Sequence, residues 1–199
     1  MMLTANAGVF KMIQDKVYFR AKLKSKLDLL SQEDKAVKSN RINTSIEEII
    51  IRSKKKEIGI FLNAHREPSI DLILKLKALS NRRFYVPIVW GNEIIFNKIS
   101  HNTKFHFNKY GIREPVNIKP DQVKNIKKFF IPLVGFDSSL QRLGHGGGFY
   151  DKLISKVRRL GNQNIEFIGV AFDIQKISTV PSEAWDEKLN SVITEKAIY

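Results

Sequence analysis

KKFFIPLVGFDSSLQRLGHGGGFYDKLISKVRRL, residues 127–160, is the stretch whose reading decides the fold. It opens on a continuous apolar run ending at VGF. Such a run, without polar alternation, marks a strand buried on both faces, as in the middle of a parallel sheet. It closes on FYDKLISKVRRL, which reads as a helix over 149–160. Between them, RLGHGGGFYD (142–151) sets four glycines among an arginine, a histidine, two aromatic rings and an aspartate. Glycine weakens any helix or strand it occupies. The backbone here must therefore turn sharply or lie very close to something. The order is buried strand (128–136), glycine loop, helix.

Upstream, the first 55 or so residues read as two helices. The first is FKMIQDKVYFRAKLKSKLDLL, with Phe10, Ile13, Val17, Leu23, Leu27 and Leu30 mostly three or four apart. Then SQED predicts an N-cap at Ser31 with Asp34 at the third helical position, and a second amphipathic helix to about Ser53. EIGIFLN, RFYVPIV and NEIIFNKI read as strands, SIDLILKLKAL as a helix capped by Ser69, and IEFIGVAF as another buried strand. Strands alternating with helices imply an α/β fold: a single layered domain over 1–199, with a central, largely parallel sheet flanked by helices on both faces. A helical segment at about 10–53 packs on that core.

The composition bounds the function. The chain has 199 residues and no cysteine, which excludes disulfides, thiolate zinc sites and a cysteine nucleophile. Its start, MMLTANAGVF, lacks a basic segment followed by a long apolar core, and Asp15 and Asp28 argue against a transit peptide. No apolar run approaches the ~20 residues of a membrane helix. A cytoplasmic protein with no membrane partner is expected. The formal charge is +14, and residues 11–56 carry 13 Lys/Arg against 6 Asp/Glu. That balance attracts nucleotides and polycarboxylates, unless it only reflects a Lys-rich composition. No standard nucleic-acid motif accompanies it, so a nucleic-acid partner is not expected. His101 and His106 match no standard metal spacing, and RSKKK (52–56) reads as a solvated helix end.

The glycine loop falls where the carboxyl end of a strand feeds a helix N-terminus, the edge at which ligands of α/β sheets bind. Free N–H groups and a partial positive charge there favour phosphate. Gly146, Gly147 and Gly148 leave that approach open, and Arg142 adds a forked cation. The stretch is neither a P-loop nor G-x-G-x-x-G, since Phe149 stands at the third glycine position. A structural turn needing positive φ is the competing account. Asp151 among phosphate ligands suggests Mg²⁺, with a first-turn aspartate complementing the helix dipole as the alternative. Lys16 and Arg20 share a helix face, with Lys24 a turn further, and an anion docked there would offset their repulsion. His65 and Glu67 lie in the loop after the first strand, where a carboxylate can accept N–H bonds from a heterocycle.

PLVGFDSSLQRLGHGGGFYDKLI, together with YGIREP (110–115), FLNAHREPSIDLI, KVYFR and VAFDIQKISTVPSEAWDEKLNSVITE, resembles the 5-formyltetrahydrofolate cyclo-ligase family, also called methenyltetrahydrofolate synthetases. The resemblance spans roughly residues 14–196. It implies an enzyme that uses ATP and Mg²⁺ to convert 5-formyltetrahydrofolate to 5,10-methenyltetrahydrofolate, releasing ADP and phosphate. By matching positions it implies that Lys16 and Arg20 contact ATP phosphates. Arg142, Leu143, Gly144, His145, Gly146, Gly147, Gly148, Phe149 and Tyr150 would form the nucleotide loop, with Arg142 and Tyr150 catalytic. His145 to Phe149 would also face the folate, Glu67 would bind the pterin N–H edge, and Asp151 and Asp186 would hold Mg²⁺. A monomer is expected, and the basic surface suits a polyglutamylated folate. Phe149 stands where the family commonly has Tyr; Trp185 and Asn190 depart from frequent His and Asp.

Overall fold

The computed structural model of the chain describes residues 2–108, 111–121, 125–161 and 164–199, with side chains from residue 15 onward except at 78, 120 and 121. Helix α1 spans Met2–Asp28 and α2 spans Gln32–Arg52. Phe10, Ile13 and Tyr110 lie outside the described side chains. Ser31 caps α2 as its sequence predicts: its Oγ accepts the Asp34 N–H at 3.0 Å. On α1, Leu23 and Leu27 are buried, whereas Val17 is exposed, contrary to the sequence periodicity; Leu30, just past the helix, packs partly against the core. The buried position in that turn belongs to Lys16, because α1 leans over a cavity there and Glu183 and Asp186 pair its ammonium.

The strands follow as β1 (Glu57–Gly59), β2 (Arg83–Trp90), β3 (Glu93–Ile99), β4 (Phe105–Phe107), β5 (Arg113–Pro115), β6 (Pro120–Asp121), β7 (Lys128–Pro132), β8 (Gly135–Phe136) and β9 (Arg142–Leu143). Helix α3 (Phe149–Arg159), β10 (Glu166–Val170) and β11 (Ser191–Ile193) complete the order. The main sheet runs β11-β10-β7-β1-β2-β3-β6. The first five strands are parallel; β3 and β6 add an antiparallel edge. This is the expected α/β class.

β7 sits between β10 and β1 with all five residues buried, as its unbroken apolar run requires. Its pleat divides the core. Phe130 shares one apolar cluster with Ile42, Ile46 and Ile50 of α2, while Phe129 and Ile131 share the other with Leu153, Ile154 and Val157 of α3. Helices thus cover both faces. The Phe129 ring stacks on Phe167 at 4.9 Å and meets Phe96 edge-on at 5.1 Å, tying three strands. Each of these fully buried side chains stabilises by roughly 1.5–3 kcal/mol.

Two expectations need correction. SIDLILKLKAL is not an α-helix capped by Ser69 but two 3₁₀ turns, Asp71–Lys75 and Lys77–Leu79. The Ser69 N–H donates to Ser39 Oγ, and its carbonyl accepts from Asn43 Nδ2, so α2 claims the groups that would start a helix. The apolar residues Ile70, Ile73, Leu76 and Leu79 recur every three positions, the 3₁₀ period rather than 3.6. Second, the strand expected over 128–136 breaks after Pro132, and Gly135–Phe136 pairs instead with Arg142–Leu143 in a separate ribbon. Gln175, buried, donates Nε2 to the carbonyls of Leu133 and Val134 at 2.7 and 3.1 Å, which replaces the ladder there. Gly135 allows the close approach of α1 to this ribbon: a Cβ there would fall 2.6 Å from Leu23 Cδ1.

Candidate active site

The carboxyl ends of β1 and β7 open into a cavity of about 1090 Å³. Ligand pockets run ~300–1,000 Å³, so this one stands at the upper end of that range. The strands place its parts. β1 feeds the loop carrying Glu67; β7 and the β8–β9 ribbon feed the glycine loop and α3; α1 closes the third side with Lys16, Arg20 and Lys24. All the residues singled out in the sequence line it: Lys16, Arg20, Glu67, Arg142 through Asp151, and Asp186.

The loop enters α3 through a left-handed turn. Gly148 takes the N-cap of α3 at φ +65°, a left-handed conformation that a residue with a Cβ adopts at a cost. It offers no side-chain cap, so the first N–H groups of α3 have no partner within the helix. Below the loop, Asp137 is buried and accepts from the N–H groups of Ser139, Gln141 and Val180 and the Ser139 hydroxyl. Burial alone would raise its carboxyl, but those hydrogen bonds more than offset it and hold it below the usual carboxylate range.

The charged residues of the cavity are paired with one another. Arg142, whose side chain is 3% exposed, donates Nη2 to Asp151 Oδ1 at 2.7 Å, and its buried Nε has no partner among the described residues. Lys16 Nζ lies 2.6 Å from both Glu183 Oε2 and Asp186 Oδ2. Burial would depress the Lys16 ammonium, yet the two carboxylates hold it above its ordinary value. Arg20 donates Nε to the Gly144 carbonyl at 2.8 Å. Burial lowers its guanidinium against the charges of Asp186 and Glu183, but an arginine stays protonated. Burial, reinforced by the charge of Glu67 and opposed by Arg142, pushes the Tyr150 phenol well up, so its hydroxyl remains a donor at neutral pH. Across the cavity, Glu67 Oε2 accepts the Ala64 N–H at 2.8 Å, and Oε1 faces His145 Nε2 at 3.1 Å.

Glu183 was missed in the sequence. Its only signal is an acidic residue three before Asp186, meaningful once Lys16 is known to lie between them. Asn190 is structural: its Oδ1 accepts the Phe167 N–H at 2.8 Å. Among the described residues no group of three His, Asp or Glu is ready to hold a metal. The donor set does fit a hard cation that keeps several other oxygens. Asp151 Oδ2 and Asp186 Oδ1 accept no hydrogen bond among the described residues, and both residues line one cavity.

The fold and cavity define an α/β protein with a large, charge-lined ligand chamber at the carboxyl edge of a parallel sheet. Residues 12–195 match the model of the 5-formyltetrahydrofolate cyclo-ligase family, and the chain belongs to that family. It is 26% identical over 181 residues to the 5-formyltetrahydrofolate cyclo-ligase of Haemophilus influenzae, covering 86% of this chain and 91% of that one. Among solved structures it is similar to the 5,10-methenyltetrahydrofolate synthetase of Aquifex aeolicus, with a TM-score of 0.79, 26% identity and coverage of 92% and 91%. The corresponding synthetase from Mycoplasma pneumoniae gives 0.73 and 25%, covering 91% of this chain and 99% of that one. No helix among the described residues is long and apolar enough to cross a membrane.

Proposed function

We propose that the protein is an ATP- and Mg²⁺-dependent ligase that closes 5-formyltetrahydrofolate to 5,10-methenyltetrahydrofolate, releasing ADP and phosphate. One observation carries the reading beyond family membership. A single cavity sets a helix N-terminus and two arginines opposite a carboxylate suited to a heterocycle. ATP lies with its phosphates against the glycine loop, Lys16 and Arg20, and the pterin lies toward Glu67 and the 145–149 segment. The formyl oxygen attacks the γ-phosphate and ADP leaves. N10 then attacks the activated carbon and gives up its proton to solvent, and phosphate departs with the former formyl oxygen. Such transfer needs positioning and charge neutralisation rather than a protein nucleophile.

The internal ion pairs support this assignment. Lys16 and Arg142 are held by Asp186 and Asp151. On this reading the two cations turn to phosphate oxygens, and the two aspartates are released to Mg²⁺. Bound there, the ion would neutralise charge on the phosphate oxygens. The paired arrangement keeps four charges compensated before ligands arrive, since an uncompensated buried charge costs several kcal/mol. Arg142 keeps spare donors besides the one given to Asp151, and Tyr150 supplies a hydroxyl donor beside it, its ring 5.7 Å from the guanidinium. We further propose that residues 1–199 act as one domain, monomeric and cytoplasmic, on folate with or without a polyglutamate tail. The test is direct: protein, 5-formyltetrahydrofolate, ATP and Mg²⁺, followed by the near-ultraviolet absorbance of the methenyl product. Growth of that band only with ATP supports the reaction. A folded protein that binds ATP but gives no band sinks it.

A further inference from the structure

Glu67 is more enclosed than a loop side chain needs to be, at 8% exposed. Its two oxygens are held differently. Oε2 is fixed by the Ala64 N–H, a contact within its own loop that sets the carboxylate's orientation. Oε1 is covered by His145 from the opposite wall, and that imidazole is 52% exposed. Among the described residues this is the one hydrogen bond between segment 63–68 and the glycine loop 144–148. The root of the glycine loop is anchored separately, through Gly144 and Arg20. The tip can therefore leave Glu67 without releasing the root.

A buried carboxylate needs a partner. A half-solvated imidazole is a replaceable one, because it regains water hydrogen bonds when it departs. Resting on the reading of Glu67 given above, we propose that His145 is a positioning residue. It covers Oε1 in the empty protein and is displaced by an N–H of the substrate heterocycle. Filling the substrate side thus frees the loop tip that faces the nucleotide, and the two ligands become coupled. Coupling between binding sites is reciprocal, so nucleotide binding shifts substrate affinity by the same factor.

The experiment measures dissociation constants for 5-formyltetrahydrofolate and for a non-hydrolysable ATP analogue, each alone and in the presence of the other. The proteins are wild type, His145→Ala, His145→Gln and Glu67→Gln, with thermal midpoints to confirm folding. Removing the cover in His145→Ala tightens folate binding roughly two- to tenfold, the range of one hydrogen bond. It moves the ATP-analogue affinity, measured without folate, to the value wild type shows with folate bound, and the coupling factor falls toward one. His145→Gln, which keeps an N–H donor, behaves as wild type. Weaker folate binding in His145→Ala overturns the proposal by making His145 a substrate contact; unchanged binding and coupling overturn it by making the hydrogen bond incidental. Glu67→Gln separates the two levels. If it binds folate as wild type does, the reading of Glu67 falls and the inference with it. If it binds weakly while His145→Ala is unaltered, only the inference falls.

Discussion

Two sets of carboxylates near the glycine loop, Asp137 on one side and Asp151 with Asp186 on the other, differ in what holds them. Asp137, beneath the glycine loop, is saturated by three backbone N–H groups and a hydroxyl. Asp151 and Asp186, on the cavity wall, are held mainly by the side-chain cations of Arg142 and Lys16. Backbone donors cannot be exchanged without unfolding the loop, whereas a side-chain cation can turn to another anion. The first arrangement builds a scaffold. The second stores charge that a ligand can claim. Burial separates them too, since Asp137 is 3% exposed and the Asp151 and Asp186 side chains are 20% and 13% exposed; the identity of the partner decides what a ligand can claim.

Replacing a wall carboxylate tests the distinction most severely. Asp151→Asn should lower kcat by about 10²–10³ while the thermal midpoint moves by a few degrees at most, an effect of the size seen when one electrostatic stabiliser is removed. Steady-state rates with a melting curve decide it, and a variant with near-normal turnover would take Asp151 out of the site. The scaffold carboxylate should show the reverse balance. Asp137→Ala leaves four donors without their acceptor and should cost about 2–4 kcal/mol of stability, read by chemical denaturation.

The pH dependence of that loss has a definite sign. Asp137 is held below its unfolded value, so its contribution is fully present above pH ~3.9 and disappears as pH falls through its folded value. The stability gap between wild type and Asp137→Ala should therefore be flat near neutrality and shrink in acid. A gap that widened on acidification would show that the carboxylate is not the stabilising form.

Smaller effects sharpen the comparison. Lys16→Met removes a cation that the wall shares between Glu183 and Asp186. It should raise the KM for ATP roughly tenfold, about 1.4 kcal/mol, with a lesser change in the KM for folate. A larger change for folate would move Lys16 to the other ligand. Smallest is Ser31→Ala, remote from the cavity, which should cost about 1 kcal/mol of stability through loss of the α2 cap and leave both KM values unchanged.

Local physics made much of this legible in the sequence. The apolar run at 128–136 announced a buried strand, though only 128–132 joins the main sheet; the Ser31 cap announced α2, and the glycines announced a turn into α3. Each signal is written within a few residues of where it acts. The 3₁₀ turns at 71–79 are also written locally, in the spacing of three from Ile70 to Leu79, but Leu72 and Leu74 between them imitate a helical period.

What only the tertiary structure decided depends on groups distant in the chain. The strand stops at Pro132 because Gln175, some forty residues later, takes the next carbonyls. Lys16 meets Glu183 and Asp186 across 167 and 170 positions, and Glu67 meets His145 across 78. Hydrogen bonds and ion pairs act over about 3 Å of space whatever the chain separation, so a sequence can name the candidates for the cavity. Only the folded sheet, by bringing the ends of β1 and β7 together under α1, sets which charges face each other and which of them a ligand can take.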